Sequence, residues 1–299
     1  MPIDPPMPRS ITIAQPHGFC SGVRQAIAMA EEAVAATAGP VYCLHELVHN
    51  RLVVERLAAS GMKFVSSLGE VPDGGTVLFS AHGVAPSVRD EAARRGLNVI
   101  DATCVFVKRV HDAVRREAAE GRTVLLIGSR NHDEVLGVAG EAPESVIVVE
   151  TADDARTVSV PDPGKVSLVT QTTLAAHQVE PIVDILLSRF PSMRVPDKSG
   201  ICGATTVRQN AVRALAATTP LVIVLGSRGS ANSNRLVDVA RAAGARAELV
   251  EDIPALRALI ARGDLPDSIG LTAGASTPED VVLEAYSLLG ASAPGREYD

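Results

Sequence analysis

Apolar residues recur at intervals of three and four after each of three cysteines, Cys20, Cys104 and Cys202. This spacing places the apolar side chains on one face and predicts an amphipathic helix beginning near each cysteine. The positions are Val23, Ala26, Ile27, Ala30 and Val34 in the first case, Val107, Val110 and Val114 in the second, and Ala211, Val212 and Leu215 in the third. In the third helix, Thr206 and Gln209 have the spacing of a capping box.

A short apolar run follows each predicted helix and ends in a polar loop, in VYCLHELVHN, TVLLIGSRNHDEV and LVIVLGSRGSANSNR. A second apolar run ends in a small polar turn, in TVLFSAHGV, VSLVTQTT and SIGLTAGAS. Strands that alternate with helices in this way predict parallel sheets. We therefore predict an α/β fold of three small parallel-sheet units, related by a pseudo-threefold axis around a central cavity. The units span 16–104, 105–199 and 200–290, and the N-terminal strand 10–15 joins the sheet of the third.

The composition limits the classes of function. The chain has 299 residues, a formal net charge of −7, no Trp and only eight Tyr and Phe together, so it lacks the basic and aromatic surface that nucleic-acid binding needs. No apolar run is long enough for a membrane span, and MPIDPPMPRS contains no apolar signal-peptide segment. We expect a cytoplasmic protein, in which cysteines serve as metal ligands, catalytic groups or core residues rather than in disulfides.

The three cysteines in equivalent positions suggest one shared metal centre. Thiolates suit zinc and iron–sulfur clusters, but three ligands without a CxxC pair do not fit a structural zinc site. They fit a [4Fe–4S] cluster in which one iron has no protein ligand. The alternative is that all three are buried core residues. Cys43, inside an apolar run, has no counterpart in the other units and is interpreted as core.

The polar loops carry the candidate substrate-binding residues. Imidazoles, hydroxyls, an amide and backbone N–H groups at strand ends are typical of phosphate sites, whereas nucleotide-binding motifs are absent. The predicted substrate-binding set is His49, His82, His132, Thr172, Ser230, Asn232 and Ser276. Glu134, Thr172 and His132 form the predicted catalytic set, with Glu134 as proton donor. The alternative is that Glu134 is an ordinary surface charge.

Taken together, these residues resemble the LytB family of 4-hydroxy-3-methylbut-2-enyl diphosphate reductases. The resemblance runs from about residue 16 to 285, through GFCSGVRQAI, HELVHNRLVV, FSAHGV, DATC, HDEV, TQTTL and NSNRL. It implies a cluster held by Cys20, Cys104 and Cys202, diphosphate contacts from the loop residues above, and proton donation by Glu134 with Thr172 beside it. It further implies reductive removal of the allylic hydroxyl, giving isopentenyl and dimethylallyl diphosphates. The implied electron donor is ferredoxin or flavodoxin, and we expect a monomer.

The chain departs from the family pattern near the predicted site. Ala231 stands where a second serine is usual, which removes a hydroxyl contact worth about 1 kcal/mol or more if buried. The other departures are Val105, Phe106, Lys108, Ser129, Gly203 and Val207. They favour one alternative, a paralogue with the same cluster that acts on another allylic phosphate or diphosphate. A second alternative is a cluster-free phosphate-binding protein, which the loss of a cysteine would favour, and all three cysteines are present.

Overall fold

A computed structural model describes residues 7–8, 10–197 and 200–290. Most of the N-terminal segment MPIDPPMPRS, on which the expectation about a signal peptide rests, and Lys198 and Ser199 of the predicted second α/β unit lie outside these ranges. The chain divides into two compact bodies. Body I contains the described parts of Met1–Cys20, His49–Val53 and Ala204–Asp299, and body II contains those of Ser21–Val48 and Val54–Gly203.

Body I is built on one four-stranded parallel sheet. Its strands are β1 (Ser10–Ile13), β9 (Leu221–Leu225), β10 (Arg246–Val250) and β11 (Ser268–Ala273), in the order β1-β11-β9-β10. The helices that accompany it are α8 (Gly203–Ala216), α9 (Ala231–Ala242), α10 (Ile253–Ala261) and α11 (Glu279–Leu288). Every residue of β9 is buried, as expected of a central parallel strand that is covered on both faces.

Body II contains two further parallel sheets. The strands of the first are β2 (Val41–Leu44), β3 (Lys63–Val65), β4 (Thr76–Phe79) and β5 (Asn98–Asp101), in the order β3-β2-β4-β5. The strands of the second are β6 (Thr123–Ile127), β7 (Val146–Val149) and β8 (Val166–Thr170), in the order β7-β6-β8. Apolar side chains cover both faces of this second sheet, which again matches the burial of parallel strands.

The remaining helices connect these strands. They are α1 (Ser21–Ala36), α2 (Arg51–Ala59), α3 (Pro86–Arg94), α4 (Val105–Ala119), α5 (Asp133–Ala139), α6 (Ala152–Thr157) and α7 (Ala176–Arg189), with a short 3-10 turn at Leu68–Glu70. Among the described helices, none is both long enough and apolar enough to cross a membrane.

The predicted α/β class with three small parallel sheets is confirmed. The predicted boundaries of the three units, and their arrangement around a cavity, stay predictions. The third predicted helix begins directly after Cys202, as α8 at Gly203, but the capping-box interpretation of Thr206 is wrong, because Thr206 is the fourth residue of this helix. The Cys202 N–H donates to the Thr172 carbonyl at 3.1 Å, which fixes the chain just before Gly203 and lets the helix begin there.

Candidate active site

The three predicted metal ligands share one local geometry. Cys20, Cys104 and Cys202 each stand immediately before a helix, and each is a half-buried cysteine that forms no disulfide. Each cysteine N–H donates, at 3.1 Å, to a carbonyl of a polar turn that follows a strand. The acceptors are Ala275 for Cys20, Ala81 for Cys104 and Thr172 for Cys202. The chain therefore presents three cysteines in the same way, as the spacing predicts.

This geometry suits thiolate ligands. The N-terminus of a helix favours an anion, and partial exposure lets a sulfur atom reach a bound group. Cys43 provides the contrast within the same chain. It is 0% exposed, and burial raises the pKa of its thiol to about 12, so it stays protonated and belongs to the core, as predicted. The donor set of three accessible thiols therefore fits an iron–sulfur cluster.

In body I, polar side chains gather at the carboxyl ends of β9 and β11. The Asn232 side-chain Oδ1 accepts from the Ala275 N–H at 2.9 Å, and the Ser276 hydroxyl donates to the His49 carbonyl at 3.2 Å. Because Ala275 also accepts from the Cys20 N–H, the turn joins Asn232 to a predicted metal ligand. The Asn232 Nδ2 is buried and has no hydrogen-bond partner. Such a donor is costly unless a ligand oxygen accepts from it.

Close packing fixes the first turn of α9. The N-cap is Ser230, whose hydroxyl oxygen accepts from the Ser233 N–H at 3.3 Å. Ser233 itself fits between Gly226 and Gly274, where a methyl group on either glycine would overlap its hydroxyl. Ala231 is the first residue of the helix. Small residues therefore hold Ser230 and Asn232 against the strand ends.

In body II, two of the predicted histidines lie side by side. The rings of His82 and His132 pack edge to face, with centroids 5.5 Å apart. His132 is the N-cap of α5, and its Nδ1 accepts from the Glu134 N–H at 3.1 Å. This bond places the proton of a neutral His132 on Nε2, which makes that nitrogen a donor for an anion.

Glu134 lies beside Thr172 and out of contact with bulk water. Its side chain is 2% exposed, its Oε1 accepts from the Thr172 N–H at 2.6 Å, and its Oε2 pairs with the Thr172 hydroxyl at 3.0 Å. Burial raises the pKa of Glu134 to about 7, although both bonds from Thr172 act to lower it. The alternative interpretation of Glu134 as a surface charge is wrong. A carboxyl group that titrates near neutral pH can hold and release a proton.

Each body thus holds part of the predicted set. Body I holds Cys20, His49, Ser230, Asn232 and Ser276, and body II holds Cys104, Cys202, His82, His132, Glu134 and Thr172. The roles of all these residues stay predictions.

Two polar residues of body II near the predicted site are not among those predicted from the sequence. Gln171 accepts from the Ser129 N–H and donates to Thr173, both at 3.1 Å, so it ties two loops together. Asp133 lies 4.0 Å from His82. Gln171 directly precedes Thr172 and Asp133 directly follows His132, and these positions in the polar loops could have identified both residues from the sequence.

Comparisons with known proteins identify the family of the chain. The family model described as LytB protein matches residues 11–290. Two similar proteins, from Aromatoleum aromaticum and Phenylobacterium zucineum, are both called 4-hydroxy-3-methylbut-2-enyl diphosphate reductase. The first is 45% identical over 95% of this chain and 91% of its own length, and the second is 46% identical over 94% and 89%.

The solved structures that resemble this chain are also described as diphosphate reductases. The E-1-hydroxy-2-methyl-but-2-enyl-4-diphosphate reductase from Plasmodium falciparum superposes with a TM-score of 0.91 at 36% identity, covering 95% of this chain and 89% of that one. A structure described as (E)-4-hydroxy-3-methyl-but-2-enyl diphosphate reductase, the terminal enzyme of the non-mevalonate pathway, superposes with a TM-score of 0.66 at 34% identity, covering 93% and 98%. On this evidence, the chain belongs to the LytB family.

Proposed function

We propose that this chain is a 4-hydroxy-3-methylbut-2-enyl diphosphate reductase of isoprenoid biosynthesis by the non-mevalonate pathway. The reaction breaks the allylic C–O bond of the substrate and consumes two electrons and two protons. The products are water and either isopentenyl or dimethylallyl diphosphate. The family assignment and the names of the relatives support this proposal.

Family membership implies an iron–sulfur cluster. The finer proposal is a [4Fe–4S] cluster held by Cys20, Cys104 and Cys202, with one iron that has no protein ligand. The matching helix positions and N–H bonds of these cysteines support it. When bound, such a cluster supplies electrons and a Lewis-acidic iron.

Glu134 is the proposed proton donor. With a pKa of about 7 it is partly protonated at neutral pH, and burial keeps the proton from bulk water. Thr172 orients the carboxyl group through its N–H and its hydroxyl. A protonated Oε2 can donate to the Thr172 hydroxyl, which can donate onward, so this hydroxyl can relay the proton.

The diphosphate is the proposed ligand of the polar loops. In body I, the buried Asn232 Nδ2 offers a donor, and the hydroxyls of Ser230 and Ser276 and the His49 side chain complete the set. In body II, the Nε2 of His132 and the ring of His82 are the corresponding donors. We expect ferredoxin or flavodoxin as the electron donor and a monomeric, cytoplasmic enzyme.

One observation carries the proposal: Thr172 serves two groups at once. Its N–H and hydroxyl hold the buried Glu134 carboxyl, while its carbonyl accepts from the Cys202 N–H. A proton donor and a thiol are thus fixed to the same residue. That arrangement suits a reduction that needs protons and electrons at one place.

Complementation tests the proposal in the cell. We expect the gene to rescue a bacterial strain that lacks its own reductase. Cys202→Ser should fail to rescue, and Cys43→Ser, which alters a core thiol, should succeed. Equal amounts of each protein must be verified on an immunoblot. Rescue by Cys202→Ser, or failure of the well-expressed natural chain, would contradict the proposal.

A further inference from the structure

Helix α4 contains a buried histidine that the proposed chemistry does not use. His111 is 3% exposed and lies seven residues after Cys104, on the same face of the helix. Its Nδ1 pairs with Glu141 Oε1 at 2.7 Å. Its Nε2 is buried and has no hydrogen-bond partner.

Glu141 determines which nitrogen of this ring carries the proton. The Glu141 side chain is 1% exposed and also forms ion pairs with Arg89 and Arg115, the latter at 2.9 Å. Although burial raises the pKa of Glu141, its hydrogen bonds from His111 and the two arginines lower it below the ordinary value, so the group is a carboxylate at neutral pH. Burial lowers the pKa of His111, so the ring is neutral. The single ring proton therefore lies on Nδ1, and Nε2 is bare.

The bare Nε2 edge of the ring packs against the turn that carries His82. A methyl group on Gly83 would lie 2.9 Å from His111 Nε2, 3.0 Å from Thr103 Cγ2 and 3.4 Å from Val107 Cγ1. These three residues span the chain from the residue before Cys104 to the second turn of α4. Gly83 has φ +79°, so both its backbone conformation and the lack of space require glycine.

The same turn is confined on its other side by α5. A methyl group on Gly137 would lie 3.3 Å from the Gly83 carbonyl carbon and oxygen and 3.4 Å from Val84 Cα. Helix α5 carries His132 as its N-cap and Glu134 in its first turn. The turn 81–84 is therefore packed between the helix that follows Cys104 and the helix that carries the proposed proton donor.

We propose that His111 is a positioning residue for substrate binding: its ring holds the turn 81–84 against the adjoining helices and so sets where His82 meets the diphosphate. This inference rests on the proposed function. The Glu141 bond orients the ring, and the ring edge packs against Gly83. Arg89, which also pairs with Glu141, donates to the Val84 carbonyl at 3.1 Å and holds the end of the same turn in all the variants below.

Two variants of similar polarity separate these two contacts. In His111→Asn, the amide nitrogen takes the place of Nδ1, so the bond to Glu141 is kept and the contact with Gly83 is lost. In His111→Gln, the amide reaches the place of Nε2, so the contact with Gly83 is kept and the bond to Glu141 is lost.

The measurements are KM and kcat for the hydroxylated diphosphate, the Kd for inorganic diphosphate by calorimetry, the iron content and Tm, all with the anaerobic holoenzyme. We expect His111→Asn to raise KM and Kd about tenfold with little change in kcat or iron, because misplacement of a binding group by about 1 Å can cost up to about 10²-fold. We expect His111→Gln to lower Tm and to keep KM near that of the natural chain.

Glu117→Gln is a matched control for a change in a buried polar network on this helix. Glu117 lies on the same helix, is fully buried and accepts from the Ser167 hydroxyl at 2.7 Å, away from the turn. We expect it to lower Tm without changing KM.

A double-mutant cycle keeps the inference testable if one variant is unstable. Gly83→Ala should raise KM by pushing the turn away from the ring, and the effect should be smaller in the His111→Asn background, because the contact with the ring, the closest of the three that the methyl group meets, is removed there.

Unchanged KM and Kd in His111→Asn, or equal increases in the Asn and Gln variants, would overturn the inference while leaving the proposed function intact. If the natural chain neither turns over the substrate nor binds diphosphate, the proposed function fails and this inference fails with it.

Discussion

Replacing Glu134 by glutamine tests the buried carboxyl group most sharply. Glutamine has nearly the same shape, and its carbonyl oxygen can still accept from the Thr172 N–H that now binds Oε1 at 2.6 Å. Its amide group can donate to the Thr172 hydroxyl. The substitution therefore removes the titrating proton while it retains the packing and both contacts.

The size of the effect on stability follows from the pKa. Burial raises the pKa of Glu134 from an ordinary value of 4.5 to about 7. As the pH rises from 4.5 to 7, the unfolded chain loses this proton before the folded chain does, so the folded state loses stability. The full decrease in the free energy of unfolding, reached above pH 7, is about 3 kcal/mol. Glutamine does not ionise. The free energy of unfolding of the variant, relative to that of the natural chain, should therefore increase by about 2 to 3 kcal/mol as the pH rises from 5 to 8.

Catalysis should change in the opposite direction. Loss of a positioned general acid costs about 10²- to 10⁴-fold in rate. We expect kcat of Glu134→Gln at pH 7 to fall by at least about 10²-fold, with unchanged iron content. In the natural chain, kcat should decline as the pH rises through about 7, because the protonated form is lost; the variant should lack this decline.

The assays are anaerobic urea titrations at pH 5 and pH 8 and initial rates from pH 5.5 to 9. Glu144→Gln, which removes an exposed carboxylate of the same body, is the matched control and should leave both results unchanged. A near-normal kcat in Glu134→Gln, or the same pH profile in both proteins, would remove Glu134 from its proposed role. A pH-independent difference in stability would refute the raised pKa.

Three further predictions concern the thiols and the diphosphate loop. Cys104→Ser should lower the iron content per chain after anaerobic reconstitution, whereas Cys43→Ser should not; equal iron in both would argue against Cys104 as a ligand. Asn232→Ala should raise KM by about tenfold without loss of iron, because a buried donor to the ligand is lost; an unchanged KM would exclude that contact. Ala231→Ser should lower KM by restoring a hydroxyl at the first residue of α9, and a KM that does not fall would show that this position does not touch the substrate.

Much of the fold could be predicted because local pattern and tertiary structure agree. The helices after Cys20 and Cys104 follow from the spacing of their apolar residues, and the buried central strands follow from continuous apolar runs. The strands β3, β7 and β10 were missed. All three lie at sheet edges and are partly exposed. The sequences KFV of β3 and RAELV of β10 lack the continuous apolar run of a buried strand, whereas VIVV of β7 has such a run and was overlooked.

The site was predictable as a set of loops but not as a set of contacts. Glu134 and Thr172 are 38 residues apart, and their hydrogen bonds depend on β8 ending and α5 beginning at the same edge of one sheet. The pKa of Glu134 depends in turn on burial that no local pattern indicates. His111 did leave a signal, because it stands on the buried face of α4 with Val107 and Val110, but its contact with Gly83 is visible only in three dimensions.

The most direct test of the central claim is an anaerobic assay of the purified protein after its iron and sulfide have been restored. With a low-potential electron donor present, 4-hydroxy-3-methylbut-2-enyl diphosphate and the two products are quantified by chromatography against iron content. We predict about four irons per chain, as a [4Fe–4S] cluster requires, and conversion of the substrate to isopentenyl and dimethylallyl diphosphates. Full cluster assembly with no consumption of this substrate would contradict the account.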